Sequence, residues 1–437
     1  MGPILFCRFS PKWLLCGCHT KKEVTMGKST HFSGQPLYSQ VINFMRKDRI
    51  LQLSRKYGGE HYVKRFDCWT HLVVMLYAII MRFDSLREIM ASLQGEALKL
   101  KRLGISMMPS RSTLSDANSR RPESVFEAIY RDLYAQYRDR LSSDSRNGRE
   151  PAWMKRLRII DSTTITLFSN LIFKGVGRHP KTGRKKGGIK AHTVIYANEG
   201  VPSDVRFTSA ATNDSFMLKP ASLDKGDILA IDRAYIDYEK FEELTRRGVV
   251  YVTRMKKRLK YDILSDTMYQ TPDGLMEVRI QHVTLTKTLK SGETIIHHAR
   301  IITYPDASKR KLVQLLTNDM DSDPSDIIAI YRKCWEIELL FKQIKQNFPL
   351  KYFYGESANA IKIQIWVTLI ANLLLTLMRK GLTRSWSFLG LATMVRIVLM
   401  YYVDFYSLFN HPERDWETML ETDHGEQAQL SLFSWRG

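Results

Sequence analysis

Cysteine is scarce and unpatterned in this chain. Cys7, Cys16, Cys18, Cys68 and Cys334 are five in 437 residues, an odd count with no pair at zinc-site spacing. That excludes the common zinc modules and fits a reducing cytosol. Apolar runs long enough for a bilayer are also missing. WTHLVVMLYAIIM and IWVTLIANLLLTLM fall short of the ~20 residues a membrane span needs, and both read as buried helices. There are no repeats and no low-complexity tract. Acidic residues are in deficit, with 45 Asp+Glu against 66 Lys+Arg, a net charge of +21 and a pI of about 9.7. A surplus of that size points to a polyanion, most simply nucleic acid. A membrane-surface role would rest on charge alone, because no amphipathic anchor accompanies it. A ribosomal tail protein is disfavoured by an aromatic content of 11%.

What is present is a globular composition, with 44% hydrophobic residues. The length suits two or three domains of ~150 residues. Residues 1–25 look foreign to the rest of the chain: their apolar patches are broken by Arg8, Lys12 and the cysteines, which also rules out a signal-peptide core. They are expected to be a spurious extension before a start at Met26. Residues 26–145 read as a helical N-terminal domain. In it Ser110 or Ser112 can cap a short helix, STLSDAN, with Arg111, Arg120 and Arg121 as candidate DNA contacts. SSDSRNGREPAW is a polar linker. Strand patterns come next: RLRIIDSTTITL with period two, a hairpin turning at Asn198-Glu199-Gly200, and the buried run DILAID. A helix from Asp237 stops at Gly248. Residues 249–318 are rich in β-formers and read as a β insertion between two parts of a core, 146–248 and 319–400. Residues 401–437 form a C-terminal tail with no assigned role.

Three acidic residues stand out. Asp161 shares the apolar side of its strand with Leu157, Ile159, Ile165 and Leu167, and a carboxylate there needs a partner, either an arginine or a metal. Asp232 ends the apolar run Ile228–Ile231, at the strand end that opens onto a crevice in α/β sheets. Its ordinary alternative is a helix cap or a pairing with Arg233. Glu338 lies on a helix announced by Asp323, Pro324 and Asp326 and ended by Pro349. There Tyr331, Cys334, Glu338 and Lys345 form a row about 70° from the apolar stripe. Glu336 and Lys342 fit an ordinary solvated face. Asp161, Asp232 and Glu338 together can hold two Mg2+ ions, a device that cuts and joins phosphodiesters.

At these residues the chain resembles the DDE insertion-sequence transposases that carry a Tyr-Arg-Glu-Lys signature and a β insertion. Tyr331, Glu338 and Lys345 stand at the signature spacings within YRKCWEIELLFKQIK. IDST and IDRAY are looser matches, and the likeness runs from about Met26 to residue 400. It implies an α/β fold: a ribonuclease-H-like mixed sheet with flanking helices, an inserted antiparallel β domain and an all-α N-terminal domain. It implies catalysis by Asp161, Asp232 and Glu338 with two Mg2+ ions (Mn2+ able to substitute). The expected chemistry is cut-and-paste transposition through a hairpin end. Expected partners are double-stranded DNA, at transposon ends and target, and a second copy in a homodimeric synaptic complex, with no membrane. The expected place is the cytoplasm, at the nucleoid. Rival readings are a ribonuclease-H-like nuclease that cuts without joining and a catalytically impaired, transposase-derived DNA-binding protein.

The signature arginine falls on Cys334. Arg332 is ~160° away around the helix and is not expected to replace it. Loss of a charge-assisted phosphate contact is worth about 1.5–3 kcal/mol, so this copy is expected to be impaired. DNA contacts are expected from Tyr331, Lys345, Arg233 and Lys342. Two basic tracts add to them: FKGVGRHPKTGRKKGGIK, with Arg178, Arg184, Lys185, Lys186 and Lys190, and RMKKRLK, with Arg254, Lys256 and Lys257. Both would give salt-dependent affinity.

Overall fold

The computed structural model describes residues 30–105, 107–142, 151–166, 188–210, 212, 217–256, 258–271, 276–289, 291–306 and 311–417. The segment 1–25 lies outside them, with Leu167, most of the first basic tract and residues 418–437. Among the described residues seven helices come first: α1 (Leu37–Ile42), α2 (Lys47–Lys56), α3 (Cys68–Met81), α4 (Leu86–Gly95), α5 (Ala97–Arg102), α6 (Arg111–Arg120) and α7 (Glu123–Ser142). Caps set several of their starts. Asp67 accepts from the Thr70 N–H and Ser110 from the Thr113 N–H, satisfying donors that a first turn leaves open. The apolar run of α3 is buried on nearly every side.

Strands follow the linker: β1 (Leu157–Thr166), β2 (Gly188–Tyr196), β3 (Pro202–Ser209) and β4 (Ile228–Ile231). After α8 (Tyr238–Arg246) come β5 (Val250–Arg254), β6 (Asp262–Gln270), β7 (Glu277–Thr288), β8 (Thr294–Asp306) and β9 (Lys311–Thr317). They make one mixed sheet in the order β3-β2-β1-β4-β5-β9-β8-β7-β6. β1, β4 and β5 run parallel to one another, and every other neighbour is antiparallel. Alternation along β1 sends Leu157, Ile159 and Ile165 into the helical core, and Ile160 into a second core beneath α8.

Two features differ from the sequence reading. Val250–Arg254, assigned with the inserted segment, is the parallel partner of β4, with Ile228 matched to Val250. The remaining β-rich residues continue the same sheet through β9 on β5. Pairing with β9 gives the edge of β5 the backbone partners that an unpaired strand would lack.

The chain returns to helix in α9 (Pro324–Lys333), α10 (Trp335–Asn347), α11 (Ala358–Lys380), α12 (Phe388–Val398) and α13 (Phe405–Asn410). α11 is the axis of the helical layer and touches α3, α6, α7 and α12. At 23 residues it exceeds the run read from sequence. By length and composition it could cross a membrane, yet nearly all of it is buried inside the fold. Its polar residues Gln364, Thr368, Asn372 and Thr376 recur every fourth position and are buried too. Gln364 donates to the carbonyls of Pro349 and Tyr352, both at 2.8 Å, which satisfies the amide away from water. Residues 401–417 fold back on the first helices. Val403 bridges Phe32, and the Asp404 N–H donates to the His31 carbonyl at 2.7 Å.

Candidate active site

The parallel register of β1 and β4 matches Leu157 with Ile228 and Ile160 with Ile231. One step further along both strands stand Asp161 and Asp232, side by side and on the face that α10 covers. Strand neighbours in a sheet lie about 4.8 Å apart, so the two carboxylates share one locality. Asp232 leaves the sheet at once and caps a short turn, accepting from the Ala234 N–H at 3.3 Å. Glu338 sits in the first turn of α10. Two turns later, Lys345 on the same helix donates to the Thr163 hydroxyl at 2.6 Å. Thr163 is on the same side of β1 as Asp161, so this bond lays α10 along the strand with Glu338 towards the aspartates. Burial lowers the Lys345 pKa.

The helix expected to run unbroken from Asp323 is divided at Cys334 by a single tightened turn whose backbone stays helical, with φ −53° and ψ −27°. The Cys334 N–H bonds to the Tyr331 carbonyl, three residues back, at 3.0 Å, and α10 restarts at Trp335. Cys334 is the meeting point of the acidic residues. Burial pushes its thiol pKa well up, and the carboxylates of Asp161, Asp232 and Glu338 push it further, because a thiolate among anions is disfavoured. The Tyr331 phenol is likewise raised, first by burial and then by Cys334 and Asp232.

A cavity of about 650 Å³ opens here, walled by Asp232, Arg233, Arg254, Tyr304, Asp306, Val313, Tyr331, Arg332, Cys334, Trp335 and Glu338. Tyr304, Asp306, Val313, Arg332 and Trp335 were not anticipated in this wall. Tyr304 and Asp306 arrive on β8, so the inserted strands complete the wall, and Arg332 lines it despite its position around the helix. Arg332 reaches the buried Tyr304 phenol. Local patterning carries no signal for Tyr304, since only the pairing of β8 with β9 brings it here. Three carboxylates are hard oxygen donors, the set that Mg2+ prefers. Among the described residues, no three His, Cys, Asp or Glu side chains converge tightly enough to grip one ion. Asp232 and Glu338 therefore border the cavity, Asp161 lies near them across Cys334, and the three are not drawn onto a point.

The other candidate contacts are dispersed. Lys342 is exposed on α10, and Lys256 is half-exposed just beyond β5. Lys190 on β2 donates to the Thr212 carbonyl at 2.8 Å. Arg111 and Arg120 are exposed on α6. Arg178, Arg184, Lys185, Lys186 and Lys257 lie outside the described residues. Arg121 requires a correction. It is 5% exposed and faces inward, donating to the Gly59 carbonyl at 2.9 Å and the Phe66 carbonyl at 3.0 Å, with His71 Nδ1 at 2.8 Å. The basic turn it was assigned to ends with this side chain holding helices together, because the loop carbonyls inside offer it a full set of acceptors. Arg121 is withdrawn from the DNA-facing set.

Two aspartates at adjoining strand ends of a mixed α/β sheet and a helical glutamate, gathered about Cys334, suit metal-assisted phosphoryl transfer. The family described as "Transposase DDE domain" matches residues 152–374, about half of the chain, and the protein belongs to that family. It is a DNA transposase of the insertion-sequence type. A domain of unknown function matches residues 33–106. A transposase of Sinorhizobium fredii, y4zB, is 29% identical over 62% of this chain and 71% of its own length. The transposase for insertion sequence element IS5377 of Geobacillus stearothermophilus is 24% identical over 51% of this chain and 56% of its own. That for element IS4SA of Synechocystis is 24% identical over 61% and 71%. Among solved structures, the piggyBac transposase synaptic complex with hairpin DNA aligns with 92% of this chain and 86% of its own. Its TM-score is 0.38 at 10% identity, a likeness too loose to decide the fold.

Proposed function

We propose that this transposase binds the terminal inverted repeats of its own element, cleaves double-stranded DNA there with Mg2+ or Mn2+, and joins the freed end to target DNA, passing through a hairpin end. The observation that carries the reading is the gathering of Asp161, Asp232 and Glu338 around Cys334, with Asp232 and Glu338 lining a cavity whose wall also holds arginines. The three carboxylates are the residues that would hold divalent ions. Bound there, such ions supply activation of the attacking oxygen and stabilisation of the leaving one. Arg233, Arg254, Tyr331 and Lys345 would position the strand, and the phosphates would meet positive charge before reaching the carboxylates. The basic tract from Lys174 to Lys190, with Lys256, Lys257, Lys342, Arg111 and Arg120, would add salt-dependent affinity.

In this reading residues 146–254 and 319–400 form a ribonuclease-H-like core that includes β5, 255–318 an inserted β segment and 26–145 a helical DNA-binding domain. Two copies would synapse two ends, in the cytoplasm at the nucleoid. The test is incubation of the full chain with Mg2+ and DNA bearing the inverted repeats that flank its gene, with a labelled target. Cleaved ends joined to target are expected. Cleavage without joining would favour a ribonuclease-H-like nuclease. Binding without cleavage would favour an impaired, DNA-binding descendant, the reading that Cys334 keeps alive.

A further inference from the structure

We infer that Arg332, with Arg254, grips the DNA phosphate that Cys334 cannot, so that the guanidinium missing from position 334 is supplied by the preceding turn and by β5. This rests on the DNA-cleaving reading proposed above. Three arginines, Arg233, Arg254 and Arg332, line the cavity beside Asp232 and Glu338. They come from three elements: the turn after β4, the end of β5 and α9. Among the described residues none of the three forms an ion pair with a carboxylate. Several arginines elsewhere are paired, as Arg158 is with Asp227 and Arg131 with Asp204, both at 2.7 Å, while others, such as Arg121 and Arg396, serve backbone carbonyls. Guanidinium groups collected in a concave wall without carboxylate partners are suited to a phosphate, which their planar fork can hold through two donors.

Position 332 sits on the far side of an ideal helix from position 334, yet its long side chain lines the same cavity and reaches the Tyr304 phenol on β8. The inserted strands thus hold the replacement arginine against the wall. The cysteine itself is small enough to leave that wall open, and the expected impairment is removed: the contact has moved two residues.

The experiment measures binding of the full chain to duplex DNA carrying its terminal repeat, by fluorescence anisotropy without divalent ions, over a series of salt concentrations. Arg332→Gln is expected to weaken binding roughly tenfold and to flatten the salt slope by about one. Arg332→Lys is expected to recover most of the slope, which a purely structural role would not do. Cys334→Arg alone is expected to change little, but in the Arg332→Gln background to restore binding. Thermal melting of each variant checks its fold, and if Arg332→Gln melts early the comparison is made with Arg332→Lys and the Cys334→Arg double variant. A parent that binds DNA with an Arg332→Gln variant equal to it overturns this assignment alone. So does Cys334→Arg strengthening binding as much in the parent as in the Arg332→Gln background. A parent that binds no DNA overturns the proposed function and this assignment with it.

Discussion

Asp161 and Asp232 are lateral neighbours, each one residue past the last matched pair of β1 and β4, Ile160 with Ile231. Two like charges placed this way raise each other's free energy unless a cation or arginine lies between them. The fold sets that arrangement through backbone register, before any side chain is chosen. The cores on both faces fix the register, since a one-residue slip would send Ile159 and Ile160 to the wrong sides. Asp161 is therefore as rigid as the sheet that carries it, and Asp232 is held one residue beyond β4 by its cap on the following turn.

Stability should fall in acid through His71. Burial, then the neighbouring Arg121 charge, lowers its pKa to about 3. The folded imidazole stays neutral as pH drops, while the unfolded one takes up a proton near 6.5. Its contribution is fully present above pH 6.5 and is lost as pH falls from there towards 3, at up to about 1.4 kcal/mol per unit. Urea unfolding of the parent and His71→Gln at pH 7.5 and 5.5 checks this. The parent is expected to lose about 1 kcal/mol more than the variant between the two. An equal loss in both would mean that another group titrates.

Arg121→Gln should destabilise the fold without altering the DNA-binding surface. It removes a buried cation and strands the Gly59 and Phe66 carbonyls it serves. A loss of about 3 kcal/mol in chemical denaturation is expected. End binding per folded molecule should stay at the parent level. Normal stability with weakened binding would restore Arg121 to the DNA-contacting residues.

Two glycines should respond with opposite signs. A Cβ at Gly59 would lie 2.9 Å from Val125 Cγ2 and 3.3 Å from the Ser54 carbonyl, so Gly59→Ala is expected to cost about 1–3 kcal/mol through overpacking. Gly95 ends α4 with nothing within 4 Å of an added Cβ, so Gly95→Ala is expected to stabilise by about 0.5–1 kcal/mol. Thermal melts of both variants decide it, and a shared sign would contradict the packing described around α2 and α7.

Much of the site was legible because local rules governed it. Period-two alternation placed Asp161, a fully apolar run placed Asp232, and the Asp323–Pro324 start placed Glu338 on its helix. The missed parts depend on contacts distant in sequence. Tyr304 enters the cavity only because β8 pairs with β9 and β9 with β5. Val250–Arg254 is as β-rich as the inserted strands after it, and nothing local says that it pairs with β4. Arg121 looked like its exposed neighbours Arg111 and Arg120, although the carbonyls that hold it belong to a loop some sixty residues earlier. Arg332 stands ~160° around the helix from Cys334 yet lines the same cavity, a reach of its long side chain that helical angles alone do not convey.

The most direct test of the acidic site is cleavage of terminal-repeat DNA by Asp161→Ala, Asp232→Ala and Glu338→Ala, with binding measured on the same preparations. Each substitution alone should abolish cleavage while leaving end binding near the parent level, because residues that act as one unit fail together. If any one of the three variants still cuts at the parent's rate, that carboxylate is not part of the site and the three-carboxylate centre is wrong.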